Sequence, residues 1–202
     1  MVILAHPDGK TLFVDNAGDP AGLARQFLAR GFDVAVAAES GAPANSNQTS
    51  VLFTAYNRTR LQERVRDLVS ICQAVQALNS FRCRVVLCGC GRAGFWSLLA
   101  APAADAAIAD CGRLDISDDQ TLLGPDLFCP GIRNIDTFAG AAILASPHPL
   151  VLYNVAAGFS TSSLRSCYKE LHEDKMLRVE SRLLNDAEIA GSLPEVVEIK
   201  SN

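Results

Sequence analysis

A chain of 202 residues, 49% hydrophobic and 20% charged, is long enough for one domain with a sizeable core, and its balance is that of a globular protein. The net charge of -4 and the lack of any Lys/Arg run argue against a nucleic-acid partner. The longest apolar stretch, Ala93 to Ala109, is broken by Pro102 and Asp105, so no membrane span is expected and the chain reads as soluble.

Val2 to Ala5 reads as a first strand, closed by His6-Pro7-Asp8-Gly9, where Pro and Asp-Gly enforce a turn. Met1 stands directly against that strand, with no signal peptide before it. From this abrupt start an excised or truncated piece is expected, with a sheet that lacks its N-terminal strands. A lone histidine at a strand end is more often a hydrogen-bonded rim residue than a ligand contact, and His6 is expected to be that. Leu23, Phe27 and Leu28 share one face of a helix from about Pro20 to Arg30, stopped by Gly31, and Phe32 to Ala38 is a second strand. Residues 42 to 49 lack periodicity and read as a surface loop. Asn47-Gln-Thr49 and Asn57-Arg-Thr59 have the form of glycosylation sequons, which matters only in a secretory context.

Leu61, Val65, Leu68, Val69, Cys72, Val75 and Leu78 recur at helical spacing among charged residues and predict a long amphipathic helix. Val85 to Leu87 is a strand, followed by a glycine-rich turn and the helix formers Phe95 to Ala101; Ala106 to Ala109 is a further strand ending at Asp110. The stretch around 111–134, with Asp118-Asp119, Gly124-Pro125 and Pro130-Gly131, reads as an irregular lid or interface loop. A helix over Thr137 to Leu144, the strand Leu150 to Tyr153 stopping at Asn154, a helix containing His172, the strand Met176 to Val179 and a terminal helix over Asp186 to Leu193 complete the chain. Strands alternating with helices predict a mostly parallel sheet covered on both faces, an α/β fold in a single domain over 1–202.

The seven cysteines are odd in number and follow no repeated spacing. Cys88-Gly-Cys90 lacks a second Cys/His pair, so buried structural thiols are expected rather than zinc.

Two chemistries compete for the turn. As a nucleophile elbow, G-x-S-x-G, it places Gly89 and Ala93 at the small positions and Gly91 at the nucleophile, and a glycine cannot attack an ester. As G-x-G-x-x-G, it offers Gly89, Gly91 and Gly94 to the pyrophosphate of a dinucleotide, with Asp110 about 20 residues on for the ribose. That fingerprint normally opens the first strand-helix unit of its domain, whereas here two strands and two helices precede it. No cofactor is the leading expectation.

A triad on this fold needs a nucleophile at the turn, an acid after a later strand and a histidine near the end. Gly91 and Asn154 occupy the first two places, and the loop from Glu180 to Glu195 contains no histidine. Loss of the nucleophile alone costs on the order of 10⁶ in turnover in a serine protease, so triad catalysis is not expected. Cys90 is an outside candidate nucleophile, but that register puts Arg92 where a small residue is required. Arg92 either points into the mouth of the fold, where it would bind a carboxylate or phosphate, or is an exposed residue of the first helical turn.

HPDG (His6 to Gly9), YNR…ERVRD (Tyr56 to Arg58, Glu63 to Asp67), the GCGRAG turn with FWSLLA, FCPG (Phe128 to Gly131) and SPHPLVLYN (Ser146 to Asn154) together resemble the carboxy-terminal α/β-hydrolase domain of tandem acetyl-xylan-esterase-like proteins. The resemblance implies a three-layer α/β-hydrolase-like sandwich whose pocket comprises Gly89, Cys90, Gly91, Arg92, His6, Asp8 and Asn154. HPDG would be the oxyanion-side loop, although Pro7 has no N–H. Arg92 departs from the Glu expected beside the central glycine. The resemblance implies a non-catalytic module docked on a catalytic esterase domain, in cis or trans, that contributes to binding acylated carbohydrate. An active esterase with an unidentified nucleophile and a dinucleotide binder remain as alternatives.

Overall fold

The computed structural model describes residues 1–37, 52–78 and 83–193. β1 (Val2–Ala5) leads through a 3-10 turn at Gly9–Leu12 to α1 (Gly22–Ala29) and β2 (Val34–Val36). α2 (Phe53–Tyr56), α3 (Arg60–Leu78), β3 (Val86–Gly89), α4 (Ala93–Ala100) and β4 (Ala106–Asp110) follow. The chain continues with α5 (Asp119–Leu122), α6 (Thr137–Ile143), β5 (Leu150–Tyr153), α7 (Ser162–Glu170), β6 (Leu177–Val179) and α8 (Asp186–Ala190).

Among the described residues six strands form one sheet in the order β2-β1-β3-β4-β5-β6, every pairing parallel. Because side chains alternate along each strand, the sheet feeds two cores. Ile3, Leu87, Ala107, Ala109, Leu150 and Leu152 pack with α3, α4, α6 and α7, where Phe95 meets Phe138 edge-on with centroids 4.7 Å apart. Val2, Leu4, Val86, Ile108, Val151 and Tyr153 pack on the opposite face with α1 and α8. The parallel sheet covered on both faces is what the alternation of strands and helices predicts, and it is consistent with the α/β-hydrolase-like three-layer sandwich that the resemblance implies.

Several boundaries differ from the expected ones for identifiable reasons. α1 begins at Gly22 because Pro20 is held extended by a bridge to Val14, and Ala21 N–H donates to Phe13 C=O at 2.9 Å. α3 is started by a capping box. The Thr59 hydroxyl accepts from Gln62 N–H at 3.3 Å, and the Gln62 side chain accepts from Thr59 N–H at 2.9 Å. Thr59 of the second sequon is therefore a buried helix cap; the first sequon and the 42–49 loop lie outside the described residues. The 111–134 stretch is not wholly irregular. Asp118 caps α5 through Gln120 and Thr121 N–H, and Arg133, in the 3-10 turn Ile132–Ile135, pairs with Asp119 at 2.5 Å. His172, expected inside a helix, lies beyond the end of α7 at a left-handed φ of 58° and is exposed.

Candidate functional site

The chain winds away from β1 to β2 on one side and to β3 on the other, so the topological switch point lies between β1 and β3 at their carboxyl ends. Open α/β sheets place ligands in the crevice at that point. Its walls are His6 to Gly9 after β1 and the turn Cys90 to Arg92 after β3, which Cys90 N–H ties to Ala5 C=O at 2.9 Å.

The turn's glycines have separate jobs. A Cβ at Gly89 would run into the Ala93 carbonyl and the Ser97 hydroxyl, and one at Gly94 into the backbone of Asp110. Both are required for α4 to approach β3 and β4. Gly91 is the apex, with a left-handed φ of 57°, and a Cβ there would have no neighbour closer than His6 Nε2 at 3.6 Å. Small residues thus stand two before and two after a left-handed apex facing an imidazole.

Asp110 ends β4 directly across from this apex, and its side chain braces the crevice from inside. Oδ2 accepts from Gly91 N–H at 3.1 Å, while Oδ1 accepts from Gly112 N–H at 2.7 Å and Asn154 Nδ2 at 3.0 Å. Asn154, at a left-handed φ of 57°, is itself tied to the segment after β6 through its N–H on Arg182 C=O at 2.9 Å. Asp110 is only 7% exposed, so an acid that the dinucleotide reading offers to a ribose is instead spent on the backbone.

His6 is oriented by its own turn. Asp8 N–H donates to Nδ1 at 3.0 Å, which puts the proton of the neutral ring on Nε2, facing the space above Gly91. The Asp8 carboxylate is 77% exposed and lies 3.7 Å from Nδ1. Burial lowers the His6 pKa, and the opposing charges of Asp8 and Asp110 do not reverse it. The ring is therefore a neutral Nε2–H donor at neutral pH and has no lone pair aimed at the apex. Arg92 N–H, the amide next after the apex, has no acceptor among the described residues.

Arg92 and Cys90 do not join this group. Arg92 turns to the loop after α5, where Nη1 meets Asp126 Oδ2 at 2.9 Å. It does not point into the mouth, and its side chain is 59% exposed. Asp126, 34 residues later, was not foreshadowed by any local motif. Cys90 packs into the α1/α8-side core. The Cys88 thiol beside it is pushed well up, first by its contact with the Cys90 side chain and then by burial. Cys72, Cys88 and Cys111 are buried free thiols. Among the described residues no group of three or more His, Cys, Asp or Glu side chains is placed to hold a metal ion.

No family model matches the chain, and no curated protein does. Among solved structures it is similar to "Methylesterase BT1017" at 13% identity and a TM-score of 0.44, over 93% of this chain and 45% of that one. The chain therefore spans less than half the length of that methylesterase.

Proposed function

We propose that this chain is a degenerate, esterase-like α/β-hydrolase domain that does not use a Ser-His-Asp triad and acts as a structural or binding module beside a catalytic esterase domain. The observation that carries this reading is Gly91. It stands at the left-handed apex of an elbow-type turn, between Gly89 and Ala93, 3.6 Å from a histidine nitrogen at its would-be Cβ, and offers no atom to attack with. Two further features support it. The place after β5 holds Asn154, which donates to Asp110 rather than orienting a histidine. His6 presents a proton to the apex instead of accepting one.

What the crevice retains is the donor half of the machinery, with Nε2–H of His6 and N–H of Arg92 flanking the apex. Those donors suit the oxygen of an ester or acyl group, the chemistry by which an acylated carbohydrate would be held without being cleaved. The experiment is direct. The protein is incubated with p-nitrophenyl acetate and with a fluorophosphonate serine probe, beside a Gly91→Ala control. Turnover equal to the control and no labelled serine are expected; labelling of one serine by the probe overturns the reading. Iodoacetamide at neutral pH tests the alternative that Cys90 is a nucleophile: esterase activity abolished by modification of Cys90 would establish it. Thermal shift with NAD or NADP tests the other alternative, and none is expected, because Asp110 has both oxygens engaged.

A further inference from the structure

A strand at the edge of a sheet presents backbone donors and acceptors that nothing within the sheet satisfies. Among the described residues β6 is such an edge, for it pairs with β5 alone. Glu180 N–H donates to Leu152 C=O at 2.9 Å, and bonding in a parallel ladder alternates, so Arg178 and Glu180 face β5 while Leu177 and Val179 face outward. Leu177 N–H is taken by Asp174 C=O in the 3-10 turn that precedes the strand. The Leu177 carbonyl and both backbone groups of Val179 have no partner among the described residues. No proline interrupts Leu177–Val179, its register with β5 is unbroken, and the strand is only partly buried.

Beside this edge, on the face that α7 covers, lies a surface groove of 260 Å³ lined by Arg165, Ser166, Tyr168, Lys169, Asp174 and Leu177. Arg165 and Lys169 stand one turn apart on α7, both exposed, and neither pairs with a carboxylate among the described residues. Arg165 Nε donates to Thr161 Oγ1 of its own helix at 3.2 Å, and Asp174 is the one carboxylate in the lining. An open edge flanked by a side-chain groove is how a sheet takes up an extended peptide: main-chain bonds hold the added strand, and alternate side chains enter the groove. Two cations to one carboxylate select an acidic side chain. The same charges oppose a second copy, because two β6 edges paired about an axis normal to the sheet set α7 beside its own copy, cations against cations.

We propose that the β6 edge and its groove are a docking site for an extended acidic segment of a partner protein, added as a further strand with a Glu or Asp side chain reaching Arg165 and Lys169. The Leu177 carbonyl and the Val179 N–H and carbonyl supply its backbone hydrogen bonds, in either strand direction. β4 and β5 lie between this edge and the strands that form the crevice, so the docking site does not depend on whether the domain is catalytic.

The probe is the peptide acetyl-Thr-Glu-Val-Glu-Val-Thr-amide, titrated into the whole chain at fixed ionic strength and read by calorimetry and by amide hydrogen exchange. Saturable binding that slows exchange of the Val179 N–H is expected, with the same peptide carrying Lys for Glu bound about tenfold more weakly or worse. In two further peptides either the Glu pair or the Val pair is N-methylated. One pattern is expected to abolish binding and the other to keep it, because only alternate N–H groups face the edge. Arg165→Gln combined with Lys169→Gln is expected to erase the charge preference, and Val179→Pro, which an edge strand accommodates, to abolish binding. Should a variant not fold, the methylated peptides decide the matter on the wild type. No saturable binding, equal affinity for the Glu and Lys peptides, binding that survives both methylation patterns, or unchanged exchange at Val179 overturns the proposal. A wild type that dimerises with Val179 already protected places a second copy on the edge and overturns it as well. None of these outcomes touches the fluorophosphonate result, so the two readings fall separately.

Discussion

Asp110 accepts a 3.1 Å hydrogen bond from the backbone N–H of Gly91, fastening the end of β4 to the apex of the turn that follows β3. Its other oxygen holds Gly112 N–H and Asn154 Nδ2, so one carboxylate joins the carboxyl ends of β3, β4 and β5. Asp110→Ala removes this acceptor and strands donors in a 7%-exposed site. A loss of about 2–4 kcal/mol is expected, since each buried donor left unsatisfied costs about 1–3 kcal/mol. Urea unfolding checks it, with a lowered midpoint and an unchanged slope.

The three glycines of the turn are expected to respond differently to one added methyl. Gly94→Ala drives Cβ into the Asp110 backbone, which cannot rotate away as a side chain would, and Gly89→Ala meets the Ala93 carbonyl. Each is expected to cost about 3 kcal/mol or more, or to prevent folding, as overpacking against fixed atoms does. Gly91→Ala has room, its nearest neighbour being 3.6 Å away, and bears only the left-handed φ of 57°. It is expected to fold with a loss of about 1–2 kcal/mol. Thermal melts of the three variants give the order, and a Gly91→Ala at least as destabilised as Gly94→Ala contradicts this assignment of roles.

Much of the fold is legible in the sequence because it depends on local pattern. The apolar run Leu150–Tyr153 is buried throughout, and the helical spacing from Leu61 puts Leu61, Leu68 and Cys72 into the core, although Leu78 at the end of that row is exposed. The Thr59-x-x-Gln62 cap was also written there, as a T-x-x-Q start signal, although the charged residues after it draw the eye first. The site is less legible because its partners are distant in sequence. Asp110 matches the spacing of a ribose-binding acid, and only the fold shows its oxygens turned onto Gly91 and Asn154. Arg92 reads equally as a mouth residue or a free surface cation until Asp126, from a loop without periodicity, is seen to hold it. The donor character of His6 follows from a single backbone N–H, which no side-chain motif encodes.

Asn154→Asp puts an acid directly after β5, and it is expected to harm the protein. Nδ2 now donates to Asp110 Oδ1 at 3.0 Å; a carboxylate there puts two negative charges in contact. One of the pair is then protonated at a raised pKa, as in paired carboxylates generally. At neutral pH the variant is expected to lose about 2–3 kcal/mol, corresponding to a rise of about two pKa units. The sign is set by the raised pKa. The unfolded chain binds fewer protons than the folded one between the two values, so stability recovers as pH falls toward the unfolded carboxylate range. Urea midpoints across pH separate this from simple loss of a donor, which would not be rescued by acid.

His6 supplies the last expectation. Burial lowers its folded-state pKa below the ordinary value of 6.5, so the native state holds fewer protons than the unfolded chain between the two values. Its contribution to stability is therefore fully present above the unfolded pKa and lost as pH falls through the folded one. His6→Gln keeps a donor near the Gly91 apex but cannot titrate. The difference in urea midpoint between wild type and His6→Gln is expected to shrink or invert from about pH 7.5 down to about pH 5. The subtraction cancels His148 and His172, which both proteins carry. A difference that grows on acidification would mean that the Asp8 and Asp110 charges outweigh burial. The ring would then be a cation above Gly91, and the crevice would be built for an anion rather than a neutral acyl oxygen.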